Sequence, residues 1–292
     1  MIITSCGNSE RLAKSLATKI KAVYSPLTIS AFPDGDTYIK FNTHLKNKIV
    51  VLVQSFQPNP EKSLINVIFA AENAKDLGVK KVILIAPYLA FMRQDTRFHP
   101  GEAISSKIVA KHLSSCIDKI ITFDPHIHRY KSLKDIFTCS AIRLTADPLI
   151  SEYIKKHWKK AVLVGPDGES SQWAADIAQR IGAESTVFEK HRFSSWHVEV
   201  KMVHPIPLKG KDVVIVDDII STGHTIAEAA KVLKSKGAKS VTAIGVHGLF
   251  VNGAIDKLKK AGVSKIVTVN CVEHATNKID IMPMLAKELM KE

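Results

Sequence analysis

The sequence predicts an α/β protein of two similar halves, each a mainly parallel sheet flanked by helices. Short apolar runs such as Ile83–Ala86 and Val213–Val216 alternate with amphipathic helical stretches, as expected of strands buried on both faces beneath covering helices. Segments of the first half recur in the second half in the same order. The chain has 292 residues and 46% hydrophobic content, which is core enough for two ordinary domains.

Taken from the N-terminus, "MIITSCGNSERLAKSLATKIKA" reads as a strand, a polar glycine turn and a helix, and "AVLVGPDGESSQWAADIAQRIGA" from Ala161 repeats that order. The strand "KIVVLVQSF" (Lys48–Phe56) is matched by "KDVVIVDDI" (Lys211–Ile219). "KDLGVKKVILIAPYLAFM" (Lys75–Met92) is matched by "KSKGAKSVTAIGVHGLFV" (Lys234–Val251), and "KIITFD" (Lys119–Asp124) by "KIVTVN" (Lys265–Asn270). Matches kept in sequence order imply duplication. The boundary falls near 141–147, "AIRLTADP", where a helix opens at "PLISEYIKKH". The expected domains are 1–144 and 145–292, with the last helix able to pack back on the first.

Composition removes several function classes. No apolar run approaches the ~18 residues of a spanning helix, and "MIITSCGNSE" lacks a charged-then-apolar leader pattern, so a soluble, cytoplasmic chain is expected. Cys6, Cys116, Cys139 and Cys271 are scattered without a C-x-x-C pair, which suggests neither a disulfide framework nor a zinc cluster. The net charge of +13 sits largely on helical faces such as "EYIKKHWKK" and "AIDKLKKAG". No basic run alternates with stacking aromatics, so small polyanions are expected as ligands rather than nucleic acid.

The stretch "KDVVIVDDIISTGHTI" ends a buried strand in Asp217 and Asp218, and ligands of open parallel sheets bind beyond such ends. An isolated acid pair can equally start a turn and cap a helix. Here Ser221, Thr222, Gly223, His224 and Thr225 follow and open a helix from about Ile226, where backbone N–H groups, hydroxyls and the helix dipole favour a phosphate. The carboxylates upstream would instead bind ribose hydroxyls or their magnesium. This stretch resembles the phosphoribosyl-diphosphate motif shared by phosphoribosyltransferases and ribose-phosphate diphosphokinases.

The first half decides between those classes. Its equivalent strand ends in Gln54-Ser55, without the acid pair. After "KVILIAPYL" the loop "AFMRQDTRFHP" sets Arg93 and Arg97 around Gln94 and Asp95, guanidiniums suited to bidentate phosphate contact or to a solvated polar loop. "AFPDGDTYIKF" offers Phe32 as an aromatic plate with Asp34 and Asp36 as acceptors, though Pro-Asp-Gly is also an ordinary turn. No Walker loop or G-x-G-x-x-G occurs.

Together these segments resemble the ribose-phosphate diphosphokinase (ribose-phosphate pyrophosphokinase) family over nearly the whole chain. The resemblance implies two phosphoribosyltransferase-like domains, with Phe32, Asp34, Asp36, Arg93, Gln94 and Asp95 binding ATP, and 217–225 binding ribose 5-phosphate. "FDPHIH" resembles the family's Asp-x-His strand end and makes His126 a ligand near the magnesium of MgATP; "GPDGES" makes Asp167 its partner. On its own, His126 would read as a structural histidine, since imidazole prefers softer metals. In "VFEKHRFSSWHVEVKM", Lys190 and Arg192 fall on the same side of an extended arm, a solvated hairpin by itself and the family's catalytic loop by resemblance. The implied reaction moves the diphosphoryl group of MgATP to ribose 5-phosphate, with Mg2+ as cofactor and a homo-oligomer as the assembly. Ser221 and Gly223 stand where many family members carry Asp and Ala, as in archaeal-type synthetases and transferases, which leaves allosteric control open. A phosphoribosyltransferase and a non-catalytic regulatory paralogue are the alternatives. The first has no use for the Arg-Gln-Asp domain, and the second would be expected to have lost residues that are present here.

Overall fold

The computed structural model describes residues 1–168, 170–192, 198–203 and 205–292. It comprises two compact units, Met1–Leu144 with Met282–Glu292, and Thr145–Ile281. The first unit opens with β1 (Ile2–Ser5), α1 (Glu10–Lys19), β2 (Val23–Tyr24) and the hairpin strands β3 (Leu27–Ala31) and β4 (Thr37–Phe41). It continues through β5 (Ile49–Val53), α2 (Pro60–Asp76), β6 (Lys81–Ala86), α3 (Ser105–Cys116), β7 (Lys119–Phe123) and β8 (Ser140–Leu144). Among the described residues, the main sheet runs β2-β1-β5-β6-β7-β8, parallel throughout.

The reason is legible in the side chains. Val50–Val53 and Val82–Ala86 are wholly buried along their length, so these strands carry continuous β-branched and aliphatic runs rather than an alternation. Helix α1 buries Ala13, Leu16 and Ala17, three- and four-residue spacings that form one apolar stripe. Helix α2 starts with Pro60 at its first position, where the missing N–H would have had no intrahelical partner. The hairpin β3–β4 stands as a separate two-stranded antiparallel sheet.

The second unit contains α4 (Asp147–His157), β9 (Ala161–Gly165), α5 (Ser171–Ile181), β10 (Ser185–Arg192), β11 (Val198–Met202), β12 (Asp212–Ile220) and α6 (His224–Ser235). It closes with β13 (Ser240–Gly248), α7 (Ala254–Lys260), β14 (Lys265–Val269) and β15 (Asn277–Ile279). Its sheet order is β11-β10-β9-β12-β13-β14-β15, antiparallel between β10 and β11 and parallel elsewhere. The sequence repeats fold as repeats: β1-β5-β6-β7 and β9-β12-β13-β14 occupy the same neighbour order. Strand β12 and helix α6 lie closer than expected. The strand runs on to Ile220 and the helix begins at His224, because Gly223 at φ +68° takes the cap and turns the chain at once. Among the described residues, no helix is long and apolar enough to cross a membrane.

Helix α8 (Met282–Leu289) belongs to the first unit and packs on α1 through its buried face, which includes Leu285, Ala286 and Leu289. Its anchor is ionic as well as apolar. Lys119, 7% exposed, reaches Glu292 at 2.8 Å and Glu288 at 3.4 Å, and Lys81 also pairs with Glu292. Hydrogen bonds from Lys119 and Lys81 hold the Glu292 carboxyl below its ordinary value. Burial pulls Glu288 upward, but Lys291 and Lys119 outweigh it.

Both shifts are downward, so the stabilisation they represent is complete above about pH 4.3, the unfolded Glu value, and is lost as pH falls through the lower folded values. Lys119→Met should destabilise the first unit by about 2 kcal/mol, less than for a fully buried pair because Lys81 and Lys291 remain. It should also flatten the acid limb of stability. Urea unfolding of parent and variant between pH 3 and 7 measures both effects, and an unchanged acid limb would show that Lys119 does not set it.

Candidate active site

In the second unit the chemistry collects where β9 and β12 end. Val213–Val216 are wholly buried, and the strand then becomes partly exposed at Asp217, Asp218 and Ile219. Both acids lie within the strand, with Asp217 opposite Gly245 of β13. Neither acid caps α6, whose N-cap is Gly223 without a side-chain hydrogen bond. The helix-cap reading of this pair is therefore excluded by geometry.

The turn that follows is braced from behind. The Thr222 carbonyl accepts from Lys257 Nζ at 3.0 Å and the Ser221 carbonyl from Val251 N at 3.2 Å. A Cβ on Gly223 would stand 3.1 Å from Leu258 Cγ and 3.4 Å from the Ala254 carbonyl, so α7 packs against the bare backbone. Ser221, Thr222, His224 and Thr225 flank this glycine with their side chains at least partly exposed. The α6 N-terminus and its hydroxyls are thus presented as an anion seat.

Asp167 follows β9. Its Oδ1 accepts from Ser170 N at 3.1 Å and from Ser170 Oγ at 3.2 Å, which fixes the turn before α5. Asp217 is pushed well above the ordinary carboxylate range, first by burial and then by the charges of Asp218 and Asp167. The shift is upward, so the ionised acid opposes folding as pH rises through the raised value. Carboxylate oxygens are hard donors of the kind a divalent cation such as magnesium takes. The donor set fits that ion.

The arm expected to carry catalysis is the antiparallel pair β10–β11, with Lys190 opposite Val200 and Arg192 opposite Val198. Lys190 and Arg192 are described here through their backbone, and 193–197 between the strands lie outside the described residues.

In the first unit, the tip of hairpin β3–β4 is closed by Phe32 N to the Asp36 carbonyl at 2.8 Å and Gly35 N to the Phe32 carbonyl at 2.9 Å. Phe32 is 52% exposed and meets Tyr38 edge-on at 5.7 Å. Asp34 and Asp36 beside it are exposed. An aromatic face and acceptors are thus offered together on a turn.

The loop after β6 is organised by a residue that the sequence did not single out. Glu102 Oε2 accepts from Gln94 Nε2 at 3.0 Å, Phe98 N at 2.9 Å and His99 N at 3.0 Å, while its carbonyl accepts from Arg97 Nε at 2.7 Å. Arg93 remains exposed. Asp95 is inward-facing: its side chain, 1% exposed, takes Arg129 Nη1 at 2.6 Å, Arg129 N at 3.0 Å and His128 N at 3.1 Å. Burial raises its pKa, but the Arg129 bonds and charge hold the carboxyl below its usual value. Asp95 is thereby tied to the loop carrying His126, where His126 Nδ1 and His128 Nε2 lie 3.2 Å apart. Neither Arg129 nor His128 was among the expected site residues, since no spacing in one dimension links position 95 to 128–129.

Two open, mainly parallel sheets, each displaying polar loops at its strand ends, define a chain built from paired phosphoribosyltransferase-type domains. Residues 1–116 match the family model described as the N-terminal domain of ribose phosphate pyrophosphokinase, and residues 132–282 match the phosphoribosyl transferase domain. A ribose-phosphate pyrophosphokinase of Methanothermobacter thermautotrophicus is 35% identical over 292 residues, covering 100% of both chains. One from Saccharolobus solfataricus is 36% identical, covering 97% of each. A crystal structure of phosphoribosylpyrophosphate synthetase from Mycobacterium smegmatis shares the fold at a TM-score of 0.87, with 24% identity and 99% and 97% coverage. The chain belongs to the ribose-phosphate pyrophosphokinase family.

The Asp217 environment is directly testable. Asp218→Asn removes a neighbouring charge, so Asp217 should titrate at lower pH than in the parent. Carboxyl 13C NMR on Asp-labelled protein follows this, and an unmoved Asp217 titration would mean that burial and Asp167, not Asp218, set its pKa.

Proposed function

We propose that the chain transfers the intact β,γ-diphosphoryl group of MgATP to the anomeric hydroxyl of ribose 5-phosphate, giving 5-phosphoribosyl diphosphate and AMP. The observation that carries this reading is the presence of two kinds of site in one chain: the acid pair Asp217-Asp218 leading into the α6 anion seat, and the first unit's hairpin tip of Phe32, Asp34 and Asp36. The full-length likeness to pyrophosphokinases supports it further.

In this reading the 5-phosphate lies on the N–H groups and hydroxyls of 221–225, and Asp217 and Asp218 face the ribose hydroxyls. Phe32 offers its face to adenine, Asp34 and Asp36 accept from the exocyclic amine, and Arg93 and Gln94 reach the phosphates. The anomeric oxygen bonds to the β-phosphorus. The bond from that phosphorus to the α–β bridging oxygen breaks, the bridging oxygen leaves on AMP, and the hydroxyl proton passes to solvent. Such transfers depend on positioning and charge neutralisation rather than on a covalent nucleophile. Lys190 and Arg192 would neutralise charge on the transferring and leaving oxygens. Magnesium would supply the remaining positive charge, with His126 the candidate ligand of the first unit and Asp167 that of the second.

A reducing cytoplasm is the compartment expected with this reading: Cys6, Cys116, Cys139 and Cys271 are not joined in disulfides, and burial pushes the Cys6 thiol to about 12. A homo-oligomer is the assembly expected with it.

Incubation with MgATP and ribose 5-phosphate should give AMP and 5-phosphoribosyl diphosphate in equal amounts. Release of ADP would mean transfer of a single phosphoryl group and would sink the assignment; binding of both substrates without turnover would point to a regulatory paralogue.

The arm makes a second prediction. If Lys190 and Arg192 act mainly in the transition state, Lys190→Ala and Arg192→Ala should each lower kcat and kcat/KM by similar factors, roughly 10²–10³. The double variant should lose less than the product of the two, because both act on one group of oxygens. Steady-state kinetics decide, and a raised KM at parental kcat would make the arm a substrate tether instead.

A further inference from the structure

Strands β1 and β5 hold the places in the first sheet that β9 and β12 hold in the second, so their ends duplicate the ends that carry Asp167, Asp217 and Asp218. A cavity of about 410 Å³ opens there. It is lined by the loop that follows β1, by Gln54 just beyond β5, by Asn66 of α2 and by the apolar side chains of Leu27, Ile29 and Pro58, and its volume falls in the range of small-molecule sites. Its buried polar groups include two neutral amides.

Gln54 is 1% exposed and Asn66 4%, and each spends its nitrogen on the surrounding chain. Asn66 Nδ2 donates to the Cys6 carbonyl at 3.0 Å, and Gln54 Nε2 to the Ser55 carbonyl at 2.9 Å and Asn8 Oδ1 at 3.0 Å. Those partners are carbonyl oxygens that can only accept, so they fix which end of each amide is nitrogen. The oxygens are left over. Among the described residues neither Gln54 Oε1 nor Asn66 Oδ1 has a donor, a costly state for a buried carbonyl oxygen and one that asks for a partner. Both amides converge on Gly7, whose φ of +142° suits glycine alone: a Cβ there would stand 3.6 Å from Gln54 Oε1 and 3.5 Å from Asn66 Nδ2. The bare α-carbon keeps the space beside them open.

Two acceptors without donors select the ligand. An anion would set oxygen against oxygen, and two neutral oxygens fall short of the roughly six that a hard divalent cation takes. Nor is there net negative charge to call for an ammonium ion, since Glu10 at the cavity is paired with Lys14 at 2.6 Å and Lys62 lines the same space. We propose that this cavity binds a small uncharged amino-substituted heterocycle of the cytosine class, its N–H2 group donating to Gln54 Oε1 and Asn66 Oδ1 and its ring lying against Leu27, Ile29 and Pro58. The site is separate from the hairpin tip at Phe32, which does not line it, and it stands whether or not the reaction proposed above is the right one.

Equilibrium dialysis of radiolabelled cytosine and uracil against the full-length protein tests this, because the two bases match in size and differ at the amino group. Cytosine should bind once per chain. Uracil, which would turn a carbonyl toward the two oxygens, should bind at least roughly tenfold more weakly. Asn66→Leu removes one of the acceptors, and Leu27→Trp fills the cavity from the hairpin without touching a hydrogen bond; each should weaken cytosine binding by about tenfold or more. Phe32→Ala should leave it within about twofold, as expected of a residue outside the site. Should Asn66→Leu fail to fold, Leu27→Trp and the uracil comparison still decide. Absence of cytosine binding, equal binding of uracil, or a loss in Phe32→Ala with full binding in Leu27→Trp would each overturn the proposal, and none of them bears on turnover of MgATP with ribose 5-phosphate.

Discussion

A parallel strand buried on both faces has no room for a charged side chain along its length, and that exclusion governs where chemistry can stand in this protein. Beyond Asp212 at its start, β12 is closed off completely over Val213–Val216, and the next acids come at Asp217 and Asp218, where the strand begins to emerge. Their position half inside the sheet has an electrostatic consequence. Burial and neighbouring like charge make Asp217 reluctant to ionise. The same exclusion places Asp167 beyond β9 and the 93–95 loop beyond β6.

Duplication shows how one scaffold can be given two surfaces. Where the second unit ends its strand in two acids, the first ends β5 in Gln54-Ser55, and there the side chain turns inward. Gln54 Nε2 donates to Asn8 Oδ1 at 3.0 Å and to the Ser55 carbonyl and Ser63 Oγ at 2.9 Å. A neutral amide at that strand end ties loops to one another, while the equivalent end carries two acidic side chains. The difference lies in charge, since the neighbouring strands keep the same order in both sheets.

Much of the fold was legible because hydrophobic runs report burial directly. The repeats of "KIVVLVQSF" and "KDVVIVDDI" became β5 and β12, each central in its sheet. The 217–225 segment was equally open to reading, because strand end, turn and helix start are contiguous and local. The first unit's loops were less so. Asp95 looked like one more polar residue of an exposed loop, yet its carboxylate is among the most enclosed in the chain, held by Arg129 and the backbone of His128. Glu102 gathers three donors from 94–99, a role that depends on how a loop curls and leaves no periodic trace. The helix after β12 began earlier than its apolar pattern suggested, because a left-handed glycine needs no run-in.

The ionic anchoring of α8 bears on the order in which the chain can mature. Helix α8 completes the first unit, yet it is encoded after the whole of the second. As the polypeptide emerges from the ribosome, Lys119 is made long before Glu288 and Glu292, and until they arrive the β7 end of the sheet has a cation without its counter-charges. Domains usually fold as units in the order they are made. Here the second unit can form from one contiguous stretch, while the first also needs Met282–Glu292. A chain cut before Met282 would thus leave Lys119 facing neither Glu288 nor Glu292, while the stretch that makes the second unit would be whole.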